Sequence, residues 1–351
     1  MKKLSKLKKG DKVAILSPSF AAPGVWPHVY KLGLDRLQSI FGLVPVEYPA
    51  TAKLDATWKE KVADLEAAFA DPDIKAVITT LGGDVQVTYV KHIKPEVFVN
   101  NPKPFFGFSD NSHLCNFLFL NSIPSFYGAA LFTQFAKQGA MDEYTIEYIK
   151  RALFDEGEFE LVPSEKYNDS SLSDGDQTLI NWNDPESLSM HKEYEVSDGW
   201  FWDGEEEGEG LLWGGCLESV DEMLRHGVAI PTLEQFEDIV LMIETSEEIP
   251  TANYVGRVFR ALGERGIIAR VKGVLVGRPK AWEFDKPQSV TEKAEYRARQ
   301  REVILQTVRQ YNGKIPVVQN LNFGHTDPQV PMPYGGQVSI KVSKQKIFAR
   351  F

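Results

Sequence analysis

The chain has 351 residues, 43% of them hydrophobic and 25% charged, with 39 basic against 49 acidic side chains and a formal net charge of -10. This is ordinary globular composition for a chain of about two domains, each large enough to bury a core without covalent staples. The acidic balance excludes binding of a nucleic-acid polymer as the main task, because neutralising phosphates takes a basic surface.

The basic start, Lys2-Lys3 through Lys8-Lys9, resembles the opening of an export signal, but only Val13-Ala14-Ile15-Leu16 follows it as an apolar run. That is too short for a signal core, and no stretch reaches the length of a membrane span. The expectation is a cytoplasmic protein with no membrane partner. Residues 12–17 read as a buried strand closed by Pro18-Ser19. An amphipathic stretch over 27–41, a strand over 44–48 and a helical period over 53–69 follow, stopped by Asp71-Pro72-Asp73. Residues 74–80 read as a third strand running into Leu81-Gly82-Gly83-Asp84, and 104–108 as a fourth, before a helix over 111–120 and a fifth strand over 123–127. Nearly continuous apolar strands alternating with helices predict an α/β fold, a doubly wound parallel sheet covered on both faces. Ligands bind such sheets at the carboxyl ends of the strands, where Gly82, Gly83 and Ser109 fall.

From residue 162 to 210 the pattern is lost in polar, turn-rich sequence. This predicts an N-terminal domain over 1–165, an irregular region over 166–210, and a smaller C-terminal domain over 211–351. The last part reads as helices over 217–225, 254–265 and 290–311 and strands over 239–243, 271–276, 316–321, 337–342 and 345–350. That mixture predicts an α+β unit with a sheet or partial barrel.

Three residues stand where apolar stretches break off: Ser109, Glu244 and His325. Serine, acid, histidine is the chain order of α/β-hydrolase triads, whose serine sits on a sharp turn between strand and helix. A serine hydroxyl needs a neighbouring base to take its proton, histidine titrates in the right range, and a carboxylate fixes the histidine's tautomer. Backbone N–H donors must meet the developing oxyanion; the candidates are Asp110, at the start of the helix, and the pair Gly82-Gly83. The segment Gly107-Phe108-Ser109-Asp110-Asn111 departs from the esterase G-x-S-x-G pattern, with Asn in place of the last Gly. Taken singly, Ser109 also reads as a helix cap, the glycines as a plain turn, Glu244 as a cap, and His325 as a structural histidine. His113, one turn after Ser109, could also approach it.

Cys115 and Cys216 make neither a disulfide framework nor a metal site, and no His/Cys cluster has zinc-ligand spacing, so no metal is expected. Cys115 opens a rival reading as an amidotransferase-like thiol nucleophile, but it falls among Leu114, Phe117 and Leu118, as a buried small hydrophobe would. Trp182, Trp200 and Trp202 cluster in the irregular region; they are candidates for stacking on a substrate's base or sugar, or for a satellite core.

Together these segments resemble the LD-carboxypeptidase family of serine peptidases, including its microcin C immunity branch. The resemblance runs from Leu7-Lys8-Lys9-Gly10-Asp11-Lys12 through Leu81-Gly82-Gly83-Asp84, Gly107-Phe108-Ser109-Asp110, Trp213-Gly214-Gly215-Cys216 and Ile243-Glu244-Thr245-Ser246 to Asn322-Phe323-Gly324-His325-Thr326-Asp327-Pro328. It implies a Ser109-Glu244-His325 triad, an amidotransferase-like N-terminal domain, a C-terminal domain that completes the triad, no cofactor, and a homodimer. The substrate would be a small molecule or short peptide. One branch trims the terminal D-alanine of murein tetrapeptides; the other, towards which Glu244 to Glu248 and the tryptophans lean, cleaves aminoacyl groups from nucleotide-like toxins. A silent ligand-binding protein on the same fold is the alternative of another class.

Overall fold

In the computed structural model, which describes residues 1–351, the early apolar runs assemble as a parallel sheet. β1 (Lys12–Leu16) leads through α1 (Pro27–Phe41) to β2 (Val44–Glu47), and α2 (Trp58–Ala70) leads to β3 (Ile74–Thr79). The short helices α3 (Gln86–Tyr89) and α4 (Glu96–Asn100) precede β4 (Phe105–Gly107), and α5 (Ser112–Leu120) connects it to β5 (Ser125–Tyr127). The strands lie in the order β5-β4-β3-β1-β2, all parallel. Helix α2 starts later than its sequence period because Thr57 and Glu60 form a reciprocal capping box there.

After α6 (Glu143–Phe154) and β6 (Glu158–Leu161), β7 (Lys166–Tyr167) and β8 (Glu195–Val196) pair only with each other. Then come β9 (Phe201–Asp203), β10 (Gly208–Cys216), α7 (Leu217–Arg225), β11 (Ile239–Glu244), α8 (Ala252–Glu264), β12 (Gly273–Gly277), α9 (Val290–Tyr311) and β13 (Val317–Leu321). The chain closes with β14 (Met332–Tyr334), β15 (Gln337–Lys341) and β16 (Lys346–Arg350). The second sheet has the order β6-β16-β15-β10-β11-β12-β13-β9, with β10 to β13 parallel at its centre. Its two edges, β6 and β9, do not meet, so the sheet is open and not a barrel, and with eight strands it is wider than the first.

Besides β10, a nine-residue strand central to the second sheet that the sequence analysis does not predict, and the β7–β8 pair in the region expected to be irregular, three short strands depart from expectation. β6 lies before residue 165 but bonds to β16 in the second sheet. β9 rises from the irregular region to edge that sheet against β13. β14 crosses back to pair antiparallel with β5, making the first sheet six-stranded. Each has only three or four residues, too few to print an alternation. One continuous apolar core runs through both sheets, and no helix is long and apolar enough to cross a membrane.

Candidate active site

Ser109 follows β4 and opens a 3-10 turn, Ser109–Asn111, that runs into α5. Its φ is 62°, a left-handed conformation that costs an L-residue about 1–2 kcal/mol and marks a serine elbow. Gly107 satisfies the first glycine of the elbow pattern for a visible reason: a Cβ there would lie 2.7 Å from Thr79 Oγ1 and 2.9 Å from Asn111 Cγ. The buried Asn111 replaces the last glycine and braces the turn. Its Nδ2 donates to the carbonyls of Phe108 at 2.9 Å and Leu81 at 3.3 Å, and its Oδ1 accepts from Gln86 Nε2 at 2.9 Å. Gly82 stands directly over the Ser109 hydroxyl, since a Cβ on it would lie 2.9 Å from Ser109 Oγ and 3.5 Å from Asp110 N. Gly83, at φ 149°, packs against Ser19 instead. The N–H groups of Gly82, Gly83 and Asp110 donate to no protein acceptor.

The acid and the histidine come from the second sheet. Glu244 is the last residue of β11 and is fully buried. Its Oε2 accepts from His325 Nδ1 at 2.7 Å and its Oε1 from the Tyr127 hydroxyl at 2.6 Å. Gly324, at φ 94°, leaves the space the carboxylate occupies: a Cβ there would collide with it. Tyr127, closing β5, also accepts from the Ser109 N–H at 3.1 Å. Its hydroxyl therefore joins the Ser109 backbone to the Glu244 carboxylate. Tyr127 was not singled out from the sequence; its position at the carboxyl end of the strand beside β4 is the signal that points to it.

His325 packs edge-on against Phe108, with ring centroids 5.0 Å apart. Its Nε2 pairs with Glu247 Oε2 at 3.1 Å, and Ser109 Oγ makes no hydrogen bond. Burial alone would lower the imidazole's pKa; Glu244 and Glu247 outweigh it and hold the ring up at about 10. Burial opposes Glu247 likewise, yet His325 holds that carboxyl down at about 2. Glu247, on the loop after β11, is a second site residue the sequence reading passed over.

Ser109, His325 and Glu247 line one cleft of about 530 Å³, within the range of small-molecule sites. One wall is aromatic: Trp182 meets Trp26 and Phe132 edge-on, with centroids at 5.1 Å and 5.5 Å, and Phe20 joins them. Trp200 and Trp202 stand apart from the cleft. Trp202 is paired in the edge strand β9, and Trp200 donates from Nε1 to Asn322 Oδ1 at 3.1 Å. Burial pushes the Cys115 thiol up to about 12 and the Cys216 thiol well above its ordinary value, so neither is a poised thiolate. His113 is buried and turns to Glu222, with Nε2 at 3.1 Å from Oε2 and 3.7 Å from Asp110 Oδ1. Asp110, His113 and Glu222 are a group whose ligand atoms lie close enough to share a metal ion; Nε2 of the imidazole bonds to Glu222 and ties α5 to α7, while His113 Nδ1 and Asp110 Oδ1 have no hydrogen-bond partner.

A parallel sheet ending in a strained serine elbow, faced by a second sheet carrying a buried Glu–His pair, defines an α/β protein of the serine-peptidase kind. Family models agree over both halves: an LD-carboxypeptidase N-terminal domain matches residues 13–128 and an LD-carboxypeptidase C-terminal domain matches residues 209–340. The chain belongs to the LD-carboxypeptidase family. It is 26% identical over 340 residues to YocD of Bacillus subtilis (strain 168), which carries a provisional carboxypeptidase name, covering 96% of this chain and 95% of that protein. It is 25% identical over 346 residues to the microcin C7 self-immunity protein MccF of Escherichia coli, covering 96% and 92%. The solved structure of an MccF-like protein from Streptococcus pneumoniae in complex with AMP is similar with a TM-score of 0.80 at 25% identity, covering 97% of this chain and 98% of that one.

Proposed function

We propose that this protein is a serine hydrolase that uses Ser109, His325 and Glu244 to cleave an amide-type bond between an acyl group and a nucleotide-like leaving group. The carrying observation is the pairing of a left-handed serine with a buried Glu244–His325 couple at 2.7 Å on the same cleft. The aromatic wall around Trp182 supports the nucleotide part, as do the AMP bound by the S. pneumoniae protein and the immunity role in the name of the E. coli one.

In the cycle, substrate entry moves Glu247 off His325 Nε2; the imidazolium gives up its Nε2 proton to solvent, and the freed nitrogen then accepts from the Ser109 hydroxyl. Ser109 Oγ attacks the carbonyl carbon while its proton passes to Nε2. Glu244 holds the resulting imidazolium through Nδ1. The oxyanion forms opposite the unpaired N–H groups of Asp110 and the Gly82-Gly83 turn, donors of the kind worth about 3–4 kcal/mol of barrier each. The C–N bond breaks as Nε2 returns the proton to the leaving nitrogen. Water then enters by the same route, giving its proton to His325, and the ester to Ser109 is hydrolysed.

The test offers an aminoacyl sulfamoyl adenosine and a murein tetrapeptide to wild type and to Ser109→Ala. Wild type is expected to cleave the first, and Ser109→Ala to lose about 10⁶-fold in kcat with its thermal melt retained. A fluorophosphonate probe should label Ser109. A near-wild-type rate in the alanine variant overturns the assignment. Release of D-alanine alone keeps the serine chemistry and moves the substrate class to muropeptides.

A further inference from the structure

The cleft's charges are matched with one exception. Glu247 pairs with His325 at 3.1 Å, Lys280 with Glu283 at 2.7 Å, and Asp327 with Lys137 at 2.6 Å. Lys192 lines the same cleft and is partly buried. Its ammonium has no carboxylate at ion-pair distance and no hydrogen-bond acceptor. A cation removed from water without a partner costs free energy, and a binding site that keeps one is arranged for an anion arriving with the ligand. Burial pushes this amine down to about 8, against the pull of Asp327, so it stays mainly cationic near neutrality.

Its place in the fold narrows the role. Lys192 is held by a backbone bridge to Ser173, and it also borders a neighbouring depression with Asp142, Tyr194 and Pro328. Asp327, the carboxylate that bears on it most, lies two residues beyond His325. The amine thus faces the cleft it shares with His325 and feels the charge of Asp327, on the turn that follows the histidine.

We infer that Lys192 is a specificity-determining residue that binds an oxyanion carried by the leaving group. The assignment to the leaving-group side rests on the hydrolase reading above. Two leaving groups share this chemistry: a nucleotide bearing a phosphate-type anion, and an amino acid bearing a free carboxylate. A neutral leaving group lacks it.

The experiment uses Ser109→Ala, which holds ligands without turnover, with and without Lys192→Met or Lys192→Arg. Calorimetry compares AMP with adenosine, and a dipeptide ending in D-alanine with its carboxamide. Lys192→Met is expected to weaken the anionic member of at least one pair by about tenfold, to leave the neutral member unchanged, and to keep the thermal melt, since the amine bonds to nothing. Lys192→Arg is expected to restore the preference. Loss in the first pair identifies a phosphate as the source, and loss in the second a carboxylate. If neither pair loses its preference, or charged and neutral members weaken alike, or no preference exists with Lys192 present, the inference falls. Wild-type turnover, assayed in parallel, separates the two claims. Loss of charge preference in Lys192→Met without any wild-type hydrolysis sinks the hydrolase and keeps the anion site; normal hydrolysis with an unchanged preference does the reverse.

Discussion

Replacing Tyr127 with Phe removes one oxygen and tests how the two sheets share the site. That hydroxyl accepts from the Ser109 N–H at 3.1 Å and donates to Glu244 Oε1 at 2.6 Å. Oε1 has no other donor, and Glu244 is fully buried. Losing a hydrogen bond to a buried charge costs about 1.5–3 kcal/mol, so stability should fall by that amount. The strained elbow also loses a backbone anchor, and a small displacement of the nucleophile should lower kcat by about tenfold to a hundredfold. A third consequence has a definite sign. Without the tyrosine donor, more of the carboxylate's negative charge bears on the imidazolium, which raises the pKa of His325 further. The acid limb of kcat/KM should therefore move to higher pH. Rates of conjugate cleavage across pH, with thermal melts, measure all three. A variant that melts earlier but keeps kcat and its acid limb would show Tyr127 to be a packing residue only.

Glu247→Gln should move the acid limb the other way, by about one pH unit towards acid, because one of the two carboxylates that hold His325 protonated is gone; an unmoved limb would mean the pair does not form in solution. The same pair stabilises the fold fully only between the ordinary glutamate value of 4.5 and the ordinary histidine value of 6.5. That contribution fades as pH falls towards about 2 or rises towards about 10, and comparing melts of wild type and variant across this range checks it. Trp182→Ala should raise KM for the nucleotide conjugate by about 5- to 150-fold, the worth of one stacked base, and should spare a murein tetrapeptide. Trp200→Ala, outside the cleft, should change neither; equal effects of both replacements would refute the stacking role.

The five parallel strands of the first sheet were legible because strands covered on both faces must be apolar throughout. Val13 to Leu16 and Ala76 to Ile78 are such runs, and they are buried as expected. β6, β9 and β14 were not legible, because short strands take their identity from the neighbour they pair with. The candidate triad could be read because Ser109, Glu244 and His325 each end an apolar stretch, a local property. Tyr127 and Glu247 carry no such mark: one looks like an ordinary strand residue and the other like a polar loop residue, and only proximity in space gives them a role. Among the tryptophans, composition could not separate Trp182, beside Trp26 and Phe132, from Trp200 and Trp202, because their surroundings are assembled from distant segments.

β14 has a consequence for how the molecule can come apart. His325 lies between β13, which belongs to the wider sheet, and β14, which completes the serine's own sheet only a few residues later. His325 is thus clamped on both sides by strand ladders anchored in different halves, so swinging one half away from the other must tear a ladder. An N-terminal fragment made alone would leave β5 with a bare, sticky edge. Two pieces cut at the midpoint that the composition suggests could work only by reassociating through the β14–β5 and β6–β16 pairings.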